Sequence, residues 1–287
     1  MTTERSHDAG PEYDWSWTED DADWVPPDID TTRPSSARMY DYALGGKDNF
    51  AVDRAAVEKI ARLFPDYRQL AQANRGFLVR AVQHMAAQGL TQYVDLGTGI
   101  PTSPNVYEVA NAAHPSPKVV YIDNDPMVMA HNRALRKAID GVITLAHDLR
   151  QPAAILSDPA VRNLIDLSQP VGVLMVAVLH FVRRDVAPGI VAHFARALAP
   201  GSHVAISAVC TDGMSDEAIR MLEGIFANAT APLVLRTRSQ IEQLFDGLEL
   251  VEPGITDVAT WRAGGPIGSV RVLAGVGRKP SGATPRD

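Results

Sequence analysis

Cysteine, long apolar runs and basic stripes are all scarce in this chain. The single cysteine among 287 residues, Cys210, excludes an internal disulfide framework and a cysteine-rich zinc site. We interpret it as a small buried residue at a strand end rather than a nucleophile. The longest apolar run, residues 171–179, is too short to cross a bilayer. The first residues are acidic and contain no apolar core, unlike a secretory signal. We therefore expect a soluble, cytoplasmic protein.

The excess of acidic residues is confined to the N-terminal segment. The net charge is −7, whereas residues 1–30 alone hold ten acidic residues and one basic residue, a charge of −9. The rest of the chain therefore carries +2. The absence of a long basic stripe disfavours nucleic acid as a partner.

Two apolar runs that end in glycines or in a carboxylate are the most informative feature present. The first, residues 93–99, reads Tyr-Val-Asp-Leu-Gly-Thr-Gly, and the second, residues 119–123, ends in Asp123. An apolar run closed by Asp-x-Gly-x-Gly predicts a buried parallel strand whose exit turn brings bare backbone against a ligand. Asp123 ends the next strand, where a carboxylate can accept both hydroxyls of a ribose. The pattern favours a nucleoside-type ligand.

The residues around these glycines distinguish two kinds of nucleoside cofactor. A dinucleotide fold uses a third glycine, in Gly-x-Gly-x-x-Gly, to bring a helix N-terminus to a pyrophosphate. Thr102 stands at that position here. Asp95 would also place a negative charge near a pyrophosphate, whereas it suits a ligand with an ammonium or sulfonium group. The sequence therefore favours S-adenosylmethionine over NAD.

The next two predicted strands supply further candidates. Residues 142–149 include Asp148, which could accept a hydrogen bond from an adenine amine or cap the helix that starts near Pro152; we leave both open. Residues 172–179 are almost wholly apolar and predict a central strand covered on both faces. The carboxyl end of such a strand, here followed by His180, is where ligands meet in open α/β sheets.

Six segments of the chain are distinctive beyond the glycine turn. They are residues 35–50, 73–78, 95–108, 121–126, 176–181 and 247–254. With them the chain closely resembles the actinobacterial S-adenosyl methyltransferase family, formerly known only as a domain of unknown function, among the class I S-adenosylmethionine-dependent methyltransferases. The resemblance covers roughly residues 34–278. It implies an α/β fold with a Rossmann-like, seven-stranded sheet, mostly parallel with the last strand antiparallel, helices on both faces and added N-terminal helices.

The chain is expected to divide into four parts. Residues 1–33, rich in acids and proline, predict a disordered or loosely docked tail, although it holds three tryptophans at positions 15, 17 and 24. Residues 34–90 have a helical period and predict a cap, and residues 91–278 form the cofactor-binding core. Within the core, a helical insertion at 214–230 is a candidate lid. Residues 279–287 predict a second disordered tail.

The helix after the glycine turn is expected to start at Pro104, because Ser103 can cap it and proline fits the first helical position. In class I methyltransferases, N-terminal helices commonly close over the methionine end of the cofactor. The resemblance therefore implies that Gly46 and Asn49 contact the cofactor and that Arg75 pairs with its carboxylate. Arg75 can equally be interpreted as an exposed charge on the surface of a helix. The predicted cofactor-binding set is Asp95, Gly97, Gly99, Asp123, Asn124, Asp148, Leu149, Ala177, Gly46, Asn49 and Arg75.

Methyl transfer from a sulfonium is an in-line displacement, so the enzyme chiefly aligns donor and acceptor. His180 is the candidate general base, needed only if the acceptor must lose a proton. A buried, hydrogen-bonded histidine at a strand end is the alternative. His147 and Asp185 are weaker candidates. No metal-binding cluster is recognisable.

Three functions are compatible with these residues. We expect an S-adenosylmethionine-dependent methyltransferase that acts on an unidentified small-molecule acceptor. The first alternative is a regulatory protein that binds the cofactor without turnover and uses its acidic tail as a partner contact. The second, an NAD-dependent oxidoreductase, is disfavoured by the missing third glycine. We expect neither nucleic acid nor a membrane as a partner. A homodimer, and contacts of the tail with its own domain or with another protein, are left open.

Overall fold

A computed structural model describes residues 29–136 and 139–281 of the protein. Most of the predicted N-terminal tail, including Trp15, Trp17 and Trp24, lies outside the described residues, as do the last six residues of the chain.

The described strands form one mixed sheet. They are β1 (Gln92–Leu96), β2 (Lys118–Asp123), β3 (Val142–Ala146), β4 (Gly172–Val176), β5 (His203–Cys210), β6 (Glu249–Leu250), β7 (Thr256–Asp257) and β8 (Arg271–Arg278). Their order is β3-β2-β1-β4-β5-β8-β6, and the two-residue β7 pairs with β8 off this path. Strands β1 to β5 pair in parallel, and β8 is antiparallel to β5. The predicted fold class is confirmed, and β7 is an addition to it.

Helices surround the sheet. They are α1 (Ser36–Ala43), α2 (Ala51–Leu63), α3 (Tyr67–Ala87), α4 (Val106–Ala113), α5 (Pro126–Arg136), α6 (Pro152–Ser157), α7 (Pro159–Leu164), α8 (Ala187–Ala197), α9 (Asp216–Phe226) and α10 (Arg238–Glu242), with 3-10 turns at Leu179–Phe181 and Gln243–Phe245. None of these helices is both long enough and apolar enough to serve as a membrane span, within the ranges described.

Alternation along the strands builds two apolar cores, one on each face of the sheet. In β2, Val119 and Tyr121 pack with α3 and α4, whereas Val120 and Ile122 face the opposite core, which includes α8. Both faces are therefore covered, as expected for parallel strands. The strand order reverses between β1 and β4, so a crevice for ligands is expected at their carboxyl ends.

A third apolar cluster joins the N-terminal helices to the insertion after β5. Met39 of α1 and Ile60 of α2 pack with Leu222 and Phe226 of α9. A buried ion pair of 2.8 Å between Arg38 and Asp53 links α1 to α2. The predicted helical insertion is therefore held against the predicted cap.

Two expectations about local structure are wrong. Helix α4 starts at Val106 rather than at Pro104, because the Asn105 side chain accepts the backbone N–H of Glu108 at 3.1 Å and caps the helix. The hydroxyl of Ser103, the predicted cap, donates to the Glu108 carboxylate instead. Strand β4 ends at Val176 rather than at residue 179, because Ala177 takes a left-handed backbone conformation with φ of 56°.

Candidate active site

A cavity of about 440 Å³ lies at the carboxyl ends of β1 to β4. Its lining combines residues of the strand ends with residues of α1, α2, α3 and α9. The predicted residues that line it are Asp95, Gly97, Gly99, Asp123, Asn124, Asp148, Leu149, Ala177, Arg75, His147 and His180. The volume lies within the range of small-molecule sites.

The turn after β1 brings bare backbone to this cavity. Gly97 and Gly99 have φ values of 72° and 66°, in the left-handed region that favours glycine. The backbone N–H of Gly97 donates to the carbonyl of Ile122 at 2.8 Å, which ties the turn to β2. A Cβ at Gly97 would lie 2.3 Å from Cγ2 of Val178, whereas a Cβ at Gly99 would meet no atom within 4 Å. Packing therefore excludes a side chain at Gly97, and Gly99 leaves open space beside the cavity.

Asp123 holds the same turn from the end of β2. Its Oδ2 accepts the N–H of Gly99 and its Oδ1 accepts the N–H of Asp125, both at 2.9 Å. Burial raises the pKa of this carboxyl, and the backbone bonds oppose that rise. An ionised carboxylate has about four acceptor positions, more than the backbone N–H groups of Gly99, Asn124 and Asp125 occupy, so acceptor capacity remains for a ligand's hydroxyl. Asn124, beside it, is exposed at the cavity edge.

Asp148 does not cap the helix that follows β3. Its Oδ1 accepts both the backbone N–H and the Nε–H of Arg150 at 2.9 Å, and Gln151 occupies the cap position of α6. The Arg150 guanidinium holds the pKa of Asp148 below its usual range. Asp148 is therefore ionised and faces the cavity together with Arg150 and Leu149.

A chain of hydrogen bonds that the sequence did not predict fixes the end of β4. The N–H of Ala177 donates to Oγ of Ser207 at 2.9 Å, and this hydroxyl donates to Oδ1 of Asn74 at 2.6 Å. Nδ2 of Asn74 donates to the Tyr40 hydroxyl at 2.8 Å, which donates to the Ala71 carbonyl at 3.1 Å. The available signal was Asn74 itself, a polar residue at an apolar position of α3.

His180 lies in the cavity wall and is only 7% exposed. Burial and, second, the positive charge of Arg236 lower its pKa to about 3. The imidazole is therefore neutral at pH 7, and such a weak base is poorly matched to removing a proton at that pH. Its catalytic role stays a prediction. Of the weaker candidates, His147 bonds Asp158 at 2.7 Å, and Asp185 pairs with Arg183 away from the cavity.

The three cofactor contacts implied by family resemblance fall in two places. Nδ2 of Asn49 donates to Oδ2 of Asp41 at 2.8 Å, and a Cβ at Gly46 would lie 1.9 Å from Oδ1 of that carboxylate. Gly46 and Asn49 thus surround Asp41 and do not line the cavity.

Arg75, in contrast, lines the cavity and is not an exposed helix charge. Its Nη2 donates to the carbonyls of Thr102 and Pro104, both at 2.5 Å, and so holds the loop between β1 and α4. Its Nε is buried and has no hydrogen-bond partner among the residues described. Contacts of all three residues with the cofactor stay predictions. Across residues 29–136 and 139–281, no group of three or more potential ligands is placed to hold a metal ion.

The sheet order and a cavity at the carboxyl ends of β1, β2 and β4 are those of the class I S-adenosylmethionine-dependent methyltransferase fold. The chain belongs to the S-adenosyl methyltransferase family, whose model matches residues 22–280. Its cofactor is S-adenosylmethionine. The open space beside Gly99 and the carboxylate oxygens of Asp123 fit the ribose end of that cofactor.

Two solved structures are similar over nearly the whole chain. A candidate methyltransferase from Thermobifida fusca YX is 38% identical with a TM-score of 0.83, and the match covers 90% of this chain and 99% of that one. A protein of the domain-of-unknown-function-574 family from Streptomyces avermitilis MA-4680 is 37% identical with a TM-score of 0.82, over 88% and 100% of the two chains. No curated protein matches the chain.

Proposed function

We propose that this enzyme transfers the methyl group of S-adenosylmethionine to a small-molecule acceptor bound in the same cavity. The observation that carries the proposal is the continuity of the lining. One cavity of about 440 Å³ contacts Gly97 in the turn and Asp123 at the end of β2, and also Phe64, Tyr67 and Phe226 of the helical elements. Cavities of this size bury most of a small ligand.

The chain's own residues then have separate tasks. Asp123 accepts hydrogen bonds from the ribose hydroxyls, and the buried Asp95 attracts the cationic end of the cofactor. The apolar residues of α1, α2 and α9 exclude water, which strengthens these electrostatic interactions. When bound, the cofactor supplies a methyl group on a positively charged sulfur. Alignment of the two reactants lowers the activation free energy by several kcal/mol.

Calorimetry and product analysis together test this proposal. We expect S-adenosylmethionine and S-adenosylhomocysteine to bind and NAD not to bind. With a panel of small molecules, we expect at least one acceptor to yield S-adenosylhomocysteine at a rate above the protein-only blank. Methylation restricted to added protein or nucleic acid would contradict the small-molecule acceptor. Cofactor binding without turnover on any acceptor would support the regulatory alternative. A cytoplasmic location, a homodimer and contacts of the acidic tail stay predictions.

A further inference from the structure

Charge is distributed unevenly around the cavity. Its six charged lining residues, Arg75, Asp95, Asp123, Asp125, Asp148 and Arg150, all lie beside the carboxyl ends of β1 to β3 or on the loops that follow them. Arg75 belongs to this group because its guanidinium bonds the loop after β1. Elsewhere in the described lining no Asp, Glu, Lys or Arg is present. The cofactor side of the cavity is therefore charged, and the opposite side is not.

The uncharged side contains an apolar wall, formed by Phe64, Tyr67, Phe181, Leu222, Phe226 and Leu233. The rings of Phe181 and Phe226 lie 5.9 Å apart between centroids, and the ring of His180 lies 4.5 Å from that of Phe181. Aromatic surfaces of this kind pack best against other apolar or aromatic rings. A charged group placed here would lose its hydration without gaining a counter-charge, which is costly. The apolar wall therefore suits an uncharged ligand.

Two tyrosine hydroxyls on this side differ in their hydrogen bonding. The Tyr40 hydroxyl is occupied twice, because it accepts from Asn74 and donates to Ala71. The Tyr67 hydroxyl forms no hydrogen bond with any residue in the ranges 29–136 and 139–281, although the ring lines the cavity. Burial and then the proximity of Tyr40 raise the pKa of Tyr67, so its hydroxyl keeps its proton and can donate. A ligand in the cavity can supply the missing partner.

We propose that the methyl acceptor is an uncharged, largely apolar aromatic molecule whose hydroxyl or amino group is bound by the Tyr67 hydroxyl. Tyr67 is then a specificity-determining residue, and the apolar wall holds the aromatic ring. This inference rests on the proposed function, because it names the class of acceptor for the same cavity.

Three ligands of nearly equal shape test the inference: 2-naphthol, naphthalene and 2-naphthoate. Their binding to the full chain is measured at pH 7.5 by ligand fluorescence, with saturating S-adenosylhomocysteine present. We expect 2-naphthol to bind about tenfold more tightly than naphthalene, the effect of one good hydrogen bond. We expect the charged 2-naphthoate to bind at least tenfold more weakly than 2-naphthol. Tyr67→Phe removes the preference for 2-naphthol over naphthalene.

Tyr42→Phe is the matched control, because the Tyr42 hydroxyl bonds the exposed Glu58 and does not line the cavity. It leaves all three affinities unchanged. Tighter binding of 2-naphthoate, an unchanged preference in Tyr67→Phe, or no binding of any of the three would overturn the inference. Binding of S-adenosylhomocysteine is measured first in the same samples. Its absence contradicts the proposed function, whereas its presence with the wrong order of naphthalenes contradicts only the acceptor class.

Discussion

The hydroxyl of Ser207 on β5 donates a hydrogen bond of 2.6 Å to Oδ1 of Asn74 on α3, and both residues are buried. The same oxygen of Ser207 accepts the N–H of Ala177, whose backbone is left-handed. One side chain therefore connects the end of β4 to the helix that covers the cavity. A displacement of α3 would disturb the backbone at Ala177, next to the cofactor side.

Removing this link is expected to weaken both the fold and the cofactor site. In Ser207→Ala, Oδ1 of Asn74 is left buried without its donor, which costs about 1–3 kcal/mol of unfolding free energy. Affinity for S-adenosylmethionine falls as well, because Ala177 loses an anchor. Urea denaturation and calorimetry measure the two effects. Ser168→Ala, which removes an exposed hydroxyl bonded to Asp166, is the control and leaves both values unchanged. A Ser207→Ala protein as stable as the parent would contradict the prediction.

Asp123 is expected to contribute directly to cofactor affinity. Asp123→Ala removes the acceptors for the ribose hydroxyls and for the N–H of Gly99, and affinity for S-adenosylmethionine falls by about 1–3 kcal/mol. Isothermal titration calorimetry measures this change. Asp185→Ala removes an exposed carboxylate that pairs with Arg183 outside the cavity, and it leaves the affinity as it was. Equal affinities of parent and Asp123→Ala proteins would remove Asp123 from the site.

The parts of the fold that could be predicted from the sequence depend on residues that are close together in the chain. The apolar runs of β1, β2 and β4 and the glycine turn are recognisable within a few residues, and the structure has the strands in those places. Two neighbouring residues compete for the start of α4: Asn105 and Glu108 have the spacing of a capping box, and Ser103 precedes a proline. Two residues that can both cap are distinguished only by the hydrogen bonds they form.

The parts that could not be predicted depend on residues far apart in the chain. Asn74 and Ser207 are 133 positions apart, so no local pattern joins them. The weak basicity of His180 results from burial and from Arg236, which approaches from beyond α9. A sequence motif can nominate a histidine, but its pKa depends on what the fold places around it.

Stability is expected to fall as the pH is lowered below 6.5. Burial and, second, neighbouring His84 lower the pKa of His203 to about 4, from an ordinary value of 6.5. Between these values the unfolded chain binds a proton that the folded chain does not, so unfolding becomes easier as pH falls. The stabilisation is fully present above pH 6.5 and is lost progressively below it, by up to about 1.4 kcal/mol per pH unit.

Unfolding free energies of the parent and of His203→Gln, measured from pH 7 to pH 4.5, check this dependence. Below pH 6.5, the unfolding free energy of the variant falls less steeply with pH than that of the parent, by up to about 1.4 kcal/mol per pH unit. This difference in slope does not depend on the stability of the variant at pH 7. Both proteins still lose some stability as the pH falls, because the pKa of the buried His180 is also lowered. Two parallel curves would show that His203 does not take part.

The glycine turn provides the sharpest test of the site's geometry. Gly97→Ala places a Cβ 2.3 Å from Cγ2 of Val178 and forces alanine into a left-handed conformation. The backbone term alone costs about 1–2 kcal/mol, and the contact adds to it. We expect the unfolding free energy of the variant to fall by more than the cost of the left-handed backbone alone. We also expect the variant to bind S-adenosylmethionine weakly. Gly189→Ala on α8, where a Cβ meets no atom within 4 Å, is the control and is neutral or slightly stabilising.

The contact with the Val178 methyl groups and the backbone strain are separable, because only the contact depends on the side chain of Val178. In Gly97→Ala combined with Val178→Ala, the methyl contact of 2.3 Å is gone, while the contact of 2.8 Å with Cβ of residue 178 and the left-handed backbone remain. The double variant is therefore less destabilised than the sum of the two single variants, by an interaction free energy of about 0.5–3 kcal/mol. Strictly additive unfolding free energies would mean that the methyl groups of Val178 do not confine the turn.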